Sequence, residues 1–156
     1  MKRTNLFHII IASGFGTGFS PFAPGTAGAI LATIIWIVLS YIVPLCLMPI
    51  TAILIVVFGL LGIWSANVLA PQWGKDPSRV VVDEMVGVWI ALLAVSDGNI
   101  YYALVALALF RLFDIFKPLG IRSMEKLKGG VGVMMDDVLA GVYSFIVLFG
   151  LRWVIG

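Results

Sequence analysis

Charge is scarce in this chain, and so are the residues on which much hydrolytic chemistry is built. Lys, Arg, Asp and Glu make up 12% of its residues and 62% are hydrophobic, whereas an ordinary soluble domain is about 25% charged. That balance excludes a soluble globular protein and describes a polytopic membrane protein. A single cysteine, Cys46, excludes an intrachain disulfide. A single histidine, His8, excludes a multi-histidine zinc site and any mechanism that pairs a histidine nucleophile with a histidine acid. His8 stands among Phe7, Ile9 and Ile10, and reads as a packed or interfacial residue. The formal charge of +2 is too small to suggest a nucleic-acid partner.

Several catalytic motifs are missing as well. Cys46 has Ala52, not arginine, six residues on, so the Cys-x5-Arg phosphatase loop is absent. There is no Asp-x-Asp pair for an aspartyl-phosphate mechanism and no Gly-x-Ser-x-Gly elbow. The glycine-rich run from Ser13 to Gly28 has Phe19 where a dinucleotide fingerprint needs glycine, and no Gly-Lys-Ser/Thr follows. If the chain hydrolyses anything, metal-activated water is the chemistry left open.

What the chain does have is long apolar segments: 27–43, 50–69, 80–95, 100–116 and about 136–155. They predict an all-α membrane bundle of about five spanning helices, a single domain over residues 1–156. An N-terminal hairpin, too short and too rich in Gly and Pro to span, would re-enter or lie in the interface. With the N-terminus in the cytosol, nine of the ten Lys and Arg residues face the cytosol and only Arg152 does not, as the positive-inside bias expects. Loops 44–49 and 96–99 carry no Lys or Arg. Seven of the eight acids, all but Asp97, fall on the cytosolic face. A transporter would be expected to place ionisable groups near the midplane. An enzyme whose lipid substrate keeps its headgroup in the cytosolic interface would place them here.

Five of these acids are the candidate chemistry: Asp83-Glu84, Asp114 and Asp136-Asp137. The pairs begin apolar segments, where capping and the helix dipole favour acids for purely structural reasons. Asp114 lies near a helix C-terminus, where the dipole disfavours an anion. Arg111 and Lys117, three residues to either side, or a shared metal could offset that. Such an oxygen-only set suits Mg2+ or Mn2+. Gly87 and Gly141, each four residues after an acid, leave room one turn away for a partner helix or a ligand. Arg111, Lys117 and Arg122 are candidates to balance phosphate charge. Thr26 is the candidate cap of a helix whose N-terminus would orient an anionic headgroup.

Four stretches, Ser20-Pro21-Phe22-Ala23-Pro24-Gly25-Thr26, Val82-Asp83-Glu84-Met85-Val86-Gly87, Phe110-Arg111-Leu112-Phe113-Asp114-Ile115-Phe116-Lys117-Pro118 and the run Gly130 to Gly141, resemble the bacterial phosphatidylglycerophosphatase A family in the same order. The resemblance implies Mg2+-dependent hydrolysis of phosphatidylglycerophosphate to phosphatidylglycerol and phosphate at the inner membrane. The five acids would then be catalytic and metal-binding residues, and the phospholipid and the bilayer the partners. A small membrane cation transporter or a non-enzymatic membrane subunit is the alternative. A lipid phosphotransferase would carry Asp-x2-Asp-Gly-x2-Ala-Arg, which is missing.

Overall fold

The computed structural model describes residues 3–73, 79–95, 97–116 and 129–155, with side chains from residue 6 onward. Every regular element among them is helical: α1 (Arg3–Ala12), α2 (Pro24–Ile42), α3 (Leu47–Trp73), α4 (Val82–Leu92), α5 (Ile100–Phe116) and α6 (Gly129–Ile155). Single 3-10 turns at Thr17–Phe19 and Pro44–Cys46 join the first three.

Local chemistry sets most boundaries. Ala23 takes a left-handed backbone (φ 43°), and Pro24 then starts α2, where its fixed φ suits a helix and its missing N–H is no loss. The next proline, Pro44, opens the turn into α3. α3 continues past Leu69, where the apolar segment ends, to Trp73. Pro71 lies in its last turn, where it removes one backbone bond without interrupting the rest. α4 ends at Leu92 because the chain tightens through successive i→i+3 bonds, Leu93 N–H to Ile90, Ala94 to Ala91 and Val95 to Leu92. Asn99 then caps α5, its Oδ1 accepting the N–H groups of Tyr101 (2.9 Å) and Tyr102 (3.3 Å).

α2, α3 and α6 are long and apolar enough to cross a membrane. At 1.5 Å per residue, the 27-residue α3 and α6 are each about 40 Å long, against about 30 Å of bilayer hydrocarbon. The 17 residues of α5 give about 25 Å, and the 11 of α4 only about 16 Å. α4 is the hub: it packs against α2, α3, α5 and α6, and nine of its residues are buried. That explains why, beyond the turn with Asp83 and Glu84, it is apolar on every face. Its Met85, Trp89 and Leu92 pack with Trp36, Leu47 and Phe110 of the neighbouring helices, and the Trp89 indole N–H donates to Ala32 O (3.0 Å). Outward stripes such as Ile30, Ile34 and Val38 on α2, and Ile53, Val56 and Leu60 on α3, stay exposed and suit hydrocarbon.

α1, ten residues long, is too short to span. It lies on α3, with buried His8 hydrogen-bonded through Nδ1 to Ser65 Oγ (2.9 Å) and edge-on to Trp64. His8 is thus a packed residue. The chain after α1 folds against the entry to α4, where Val81 N–H donates to Ala12 O (2.8 Å).

Candidate functional site

Three helices bring the five acids together. Asp83 and Glu84 lie in the first turn of α4, and Asp114 lies in the last turn of α5. Asp136 and Asp137 were expected to open the last span. Instead α6 begins at Gly129 and carries them two turns inside, with no acid in its first turn. The earlier start has a glycine and a tertiary contact behind it: Gly129 takes φ 65°, and Gly130 N–H is capped by Asn67 Oδ1 of α3 (2.6 Å). Dipole preference therefore does not explain Asp136 and Asp137, because that effect fades beyond the first turn.

The carboxylates form two overlapping triads. Oxygens of Asp83, Glu84 and Asp137 lie within 4.8 Å of one another, and so do those of Asp114, Asp136 and Asp137. Asp83, Asp114, Asp136 and Asp137 are all buried. Each pair is braced in the same way. Asp83 Oδ1 accepts the N–H of Glu84 (3.0 Å), and Asp136 Oδ1 accepts that of Asp137 (2.9 Å).

The sequence gives each pair a glycine one turn on, and here the two helices cross. A Cβ on Gly87 would lie 2.7 Å from the carbonyl oxygen of Asp137 and would enter the Phe110 ring. A Cβ on Gly141 would strike the Gly87 carbonyl. The room predicted there is taken by the partner helix.

Arg111 pairs with Asp114 one turn later on α5, and its Nη1 is 3.9 Å from Glu84 Oε1. It thereby offsets the unfavourable dipole at Asp114. It is the cation seen among these acids in the described residues. Five carboxylates around one guanidinium leave a negative excess that burial makes costly. Asp137 Oδ1 and Glu84 Oε2 are buried without a hydrogen-bond partner. Orphaned oxygens of this kind call for an explanation. An all-oxygen set with two such atoms fits a hard divalent cation.

The first turn of α2 closes on the same point. A Cβ on Gly25 would sit 2.7 Å from Glu84 Oε1 and 3.4 Å from Arg111 Nη1, so any side chain there would have to displace the Glu84 carboxylate. Sequence reasoning passed over Gly25 as one glycine among many; its place after Pro24 at a helix start was the available signal. Thr26 does not cap α2. Ala23 holds the N-cap position without a side-chain bond, and Thr26 is half-buried within the first turn. The helix starts at Pro24, two residues before Thr26, which puts that hydroxyl past the capping position. Lys117 and Arg122 lie outside the described residues.

At the opposite end, Arg152 of α6 donates to Asp97 (2.6 Å) and to Ala94 O (3.1 Å), and lies over the Tyr102 ring. The acid and the base that the sequence placed apart from the rest therefore pair with each other.

Comparison with known proteins places the chain in a family. Residues 10–152 match the family described as Phosphatidylglycerophosphatase A. A Bacteroides thetaiotaomicron protein, provisionally named a phosphatidylinositol-3-phosphatase, is 64% identical over the full length of both chains. The phosphatidylglycerophosphatase A of Escherichia coli is 34% identical over 100% of this chain and 90% of its own. That of Haemophilus influenzae is 39% identical over 98% of this chain and 94% of its own. No solved structure matches.

Proposed function

Because the chain belongs to the phosphatidylglycerophosphatase A family, we propose that it removes the terminal phosphomonoester of phosphatidylglycerophosphate, giving phosphatidylglycerol and phosphate. The reaction is assigned to the cytosolic face of the bacterial inner membrane, with Mg2+, or Mn2+ in its place, as cofactor. The observation that carries this reading is the convergence of five carboxylates from α4, α5 and α6 in two triads that share Asp137. Membership of a phosphatase family sets aside the transporter and the non-enzymatic subunit.

Asp83, Glu84, Asp114, Asp136 and Asp137 would hold the divalent ion. Its contribution when bound is Lewis-acid polarisation of a phosphoryl oxygen and activation of a water. The rest falls to the chain itself. Glu84 has a buried oxygen without a partner and sits beside Arg111 and Gly25, at the edge where a headgroup would arrive, so it is assigned the water's proton. Arg111 balances phosphate charge while holding Asp114 in place. The backbone at Gly25 and Thr26, where α2 exposes its first N–H groups, orients the headgroup. Burial keeps bulk water away from the reacting centre. Lys117 and Arg122 are assigned a supporting electrostatic role.

A second lipid phosphomonoester, phosphatidylinositol 3-phosphate, is favoured by one observation: the printed name of the relative at 64% identity. Both headgroups present a dianionic phosphate to the same acids, so the chemistry is shared and only the alcohol differs. Purified protein in detergent should release phosphate from phosphatidylglycerophosphate, lose that activity in EDTA and regain it with Mg2+. Release that EDTA leaves untouched would refute the metal. A faster rate on the phosphoinositide would move the substrate assignment to it. Equal rates on the lipid and on free glycerol phosphate would refute an interfacial site.

A further inference from the structure

The two helices that carry Asp114, Asp136 and Asp137 also enclose an apolar groove of about 170 Å³, lined by Phe113 of α5 and Tyr143, Ile146 and Val147 of α6. Its upper end is tied to the acids by sequence and by helix geometry. Phe113 immediately precedes Asp114. Tyr143 lies seven residues, two helical turns, beyond Asp136, and so on the same face of α6.

The helices run in opposite directions, and helical side chains lean toward their own N-terminus. Phe113 therefore leans away from the acid level and Tyr143 toward it. The two rings meet edge-to-face at 5.9 Å between centroids. Below that contact Ile146 and Val147, both exposed, carry the groove along the outside of the bundle. The groove is thus an apolar trough that begins about 10 Å along α6 from Asp136 and runs along the hydrocarbon-facing surface.

We propose that this trough seats one acyl chain of the lipid whose phosphate lies at the carboxylates. The assignment rests on the lipid-phosphatase reading above and names the part of the substrate that the acids do not touch. A lipid held by its phosphate at Asp114 and Asp136 has an acyl chain to place in the direction of the bilayer interior, and the groove offers an apolar surface in that direction. A second apolar hollow, lined by Ala52, Ile53, Val56 and Val57, belongs to α3 alone and includes none of the acid-bearing helices, so it serves as the control.

The test pairs a filled groove with two chain lengths. Val147→Trp puts an indole into the trough at an exposed position, and Val56→Trp does the same on α3. On dioleoyl phosphatidylglycerophosphate, Val147→Trp should lower kcat/KM by about tenfold, as losing contact with roughly two methylenes would. On the dihexanoyl lipid it should match wild type, and Val56→Trp should match wild type on both. Equal loss on both chain lengths, or equal loss from the two tryptophans, would overturn the proposal. A readout that needs no turnover separates the groove from the reaction. Phosphatidylglycerophosphate with a diazirine near the end of one acyl chain should crosslink preferentially to residues 143–147 rather than 52–57. Phosphatidylcholine with the same chain should show no such preference. Preferential labelling without phosphate release supports the groove and removes the proposed reaction. Phosphate release with labelling spread evenly over both segments overturns the groove and leaves the reaction standing.

Discussion

Asp137 is the carboxylate that belongs to both triads, and it is almost wholly buried. Asp137→Asn keeps the shape and removes the charge. It should cut phosphate release by about 100-fold or more, since losing even an outer partner at a metal centre costs up to that much. Asp83→Asn and Asp114→Asn should follow in the same direction, measured on protein that still purifies with its helical circular dichroism. A near-normal rate for two of the three would leave those acids as structural residues. Asp97→Asn is the contrast. Its half-exposed carboxyl is held below the ordinary value chiefly by the hydrogen bond from Arg152. The stabilisation is therefore present above the unfolded-state pKa and is lost only as pH falls through the lower folded value. Solvent screening limits it to less than about 1 kcal/mol, so activity between pH 6 and 8 should match wild type. The acids were legible in the sequence because charge is so rare in it. Gly25 was not, because its importance lies in the Glu84 and Arg111 side chains that approach it from other helices. Thr26 misled because the capping position is fixed by the backbone of Ala23, which no side-chain pattern announces.

Among the elements, the crossing of α4 and α6 fixes the distance between the acid pairs. Gly87 and Gly141 meet backbone to backbone, one turn from Asp83 and Asp137. Gly141→Leu would force the helices apart, and overpacking of this kind costs about 1–3 kcal/mol or more. The expected result is a lower unfolding temperature in detergent together with weakened divalent-cation binding by calorimetry. Unchanged cation affinity in a folded variant would separate the crossing from the site. The acid-to-glycine spacing pointed in the sequence to room for a partner helix or a ligand, but not to each glycine being the other's neighbour. Helix ends were read less well. Gly129 to Met135 carries no apolar run long enough to extend the last span on composition alone. Its first turn is capped by Asn67, which is 63 residues away in the chain.

For the molecule as a whole, the sorting of charge predicts a membrane orientation. On a Cys46→Ser background, Leu45→Cys, at a position 97% exposed in the turn before α3, should react with an impermeant thiol reagent in intact cells. Arg79→Cys, beside the entry to α4, should react only after permeabilisation. The reverse pattern would invert the topology and move the acids to the other face. The all-helical architecture was readable because apolar runs of this length leave few other folds. The depth of the acids was not readable, because it depends on where α6 begins. The length of α3 has a further, mechanical consequence. At about 40 Å it exceeds the roughly 30 Å of hydrocarbon that its exposed apolar stripe meets. Surrounding lipids then face a hydrophobic mismatch, relieved by tilting or by local thickening of the bilayer at fractions of a kcal/mol per Å. The thickness of the host bilayer thus becomes a force on the protein, and the membrane acts as a mechanical load on the enzyme as well as its source of substrate.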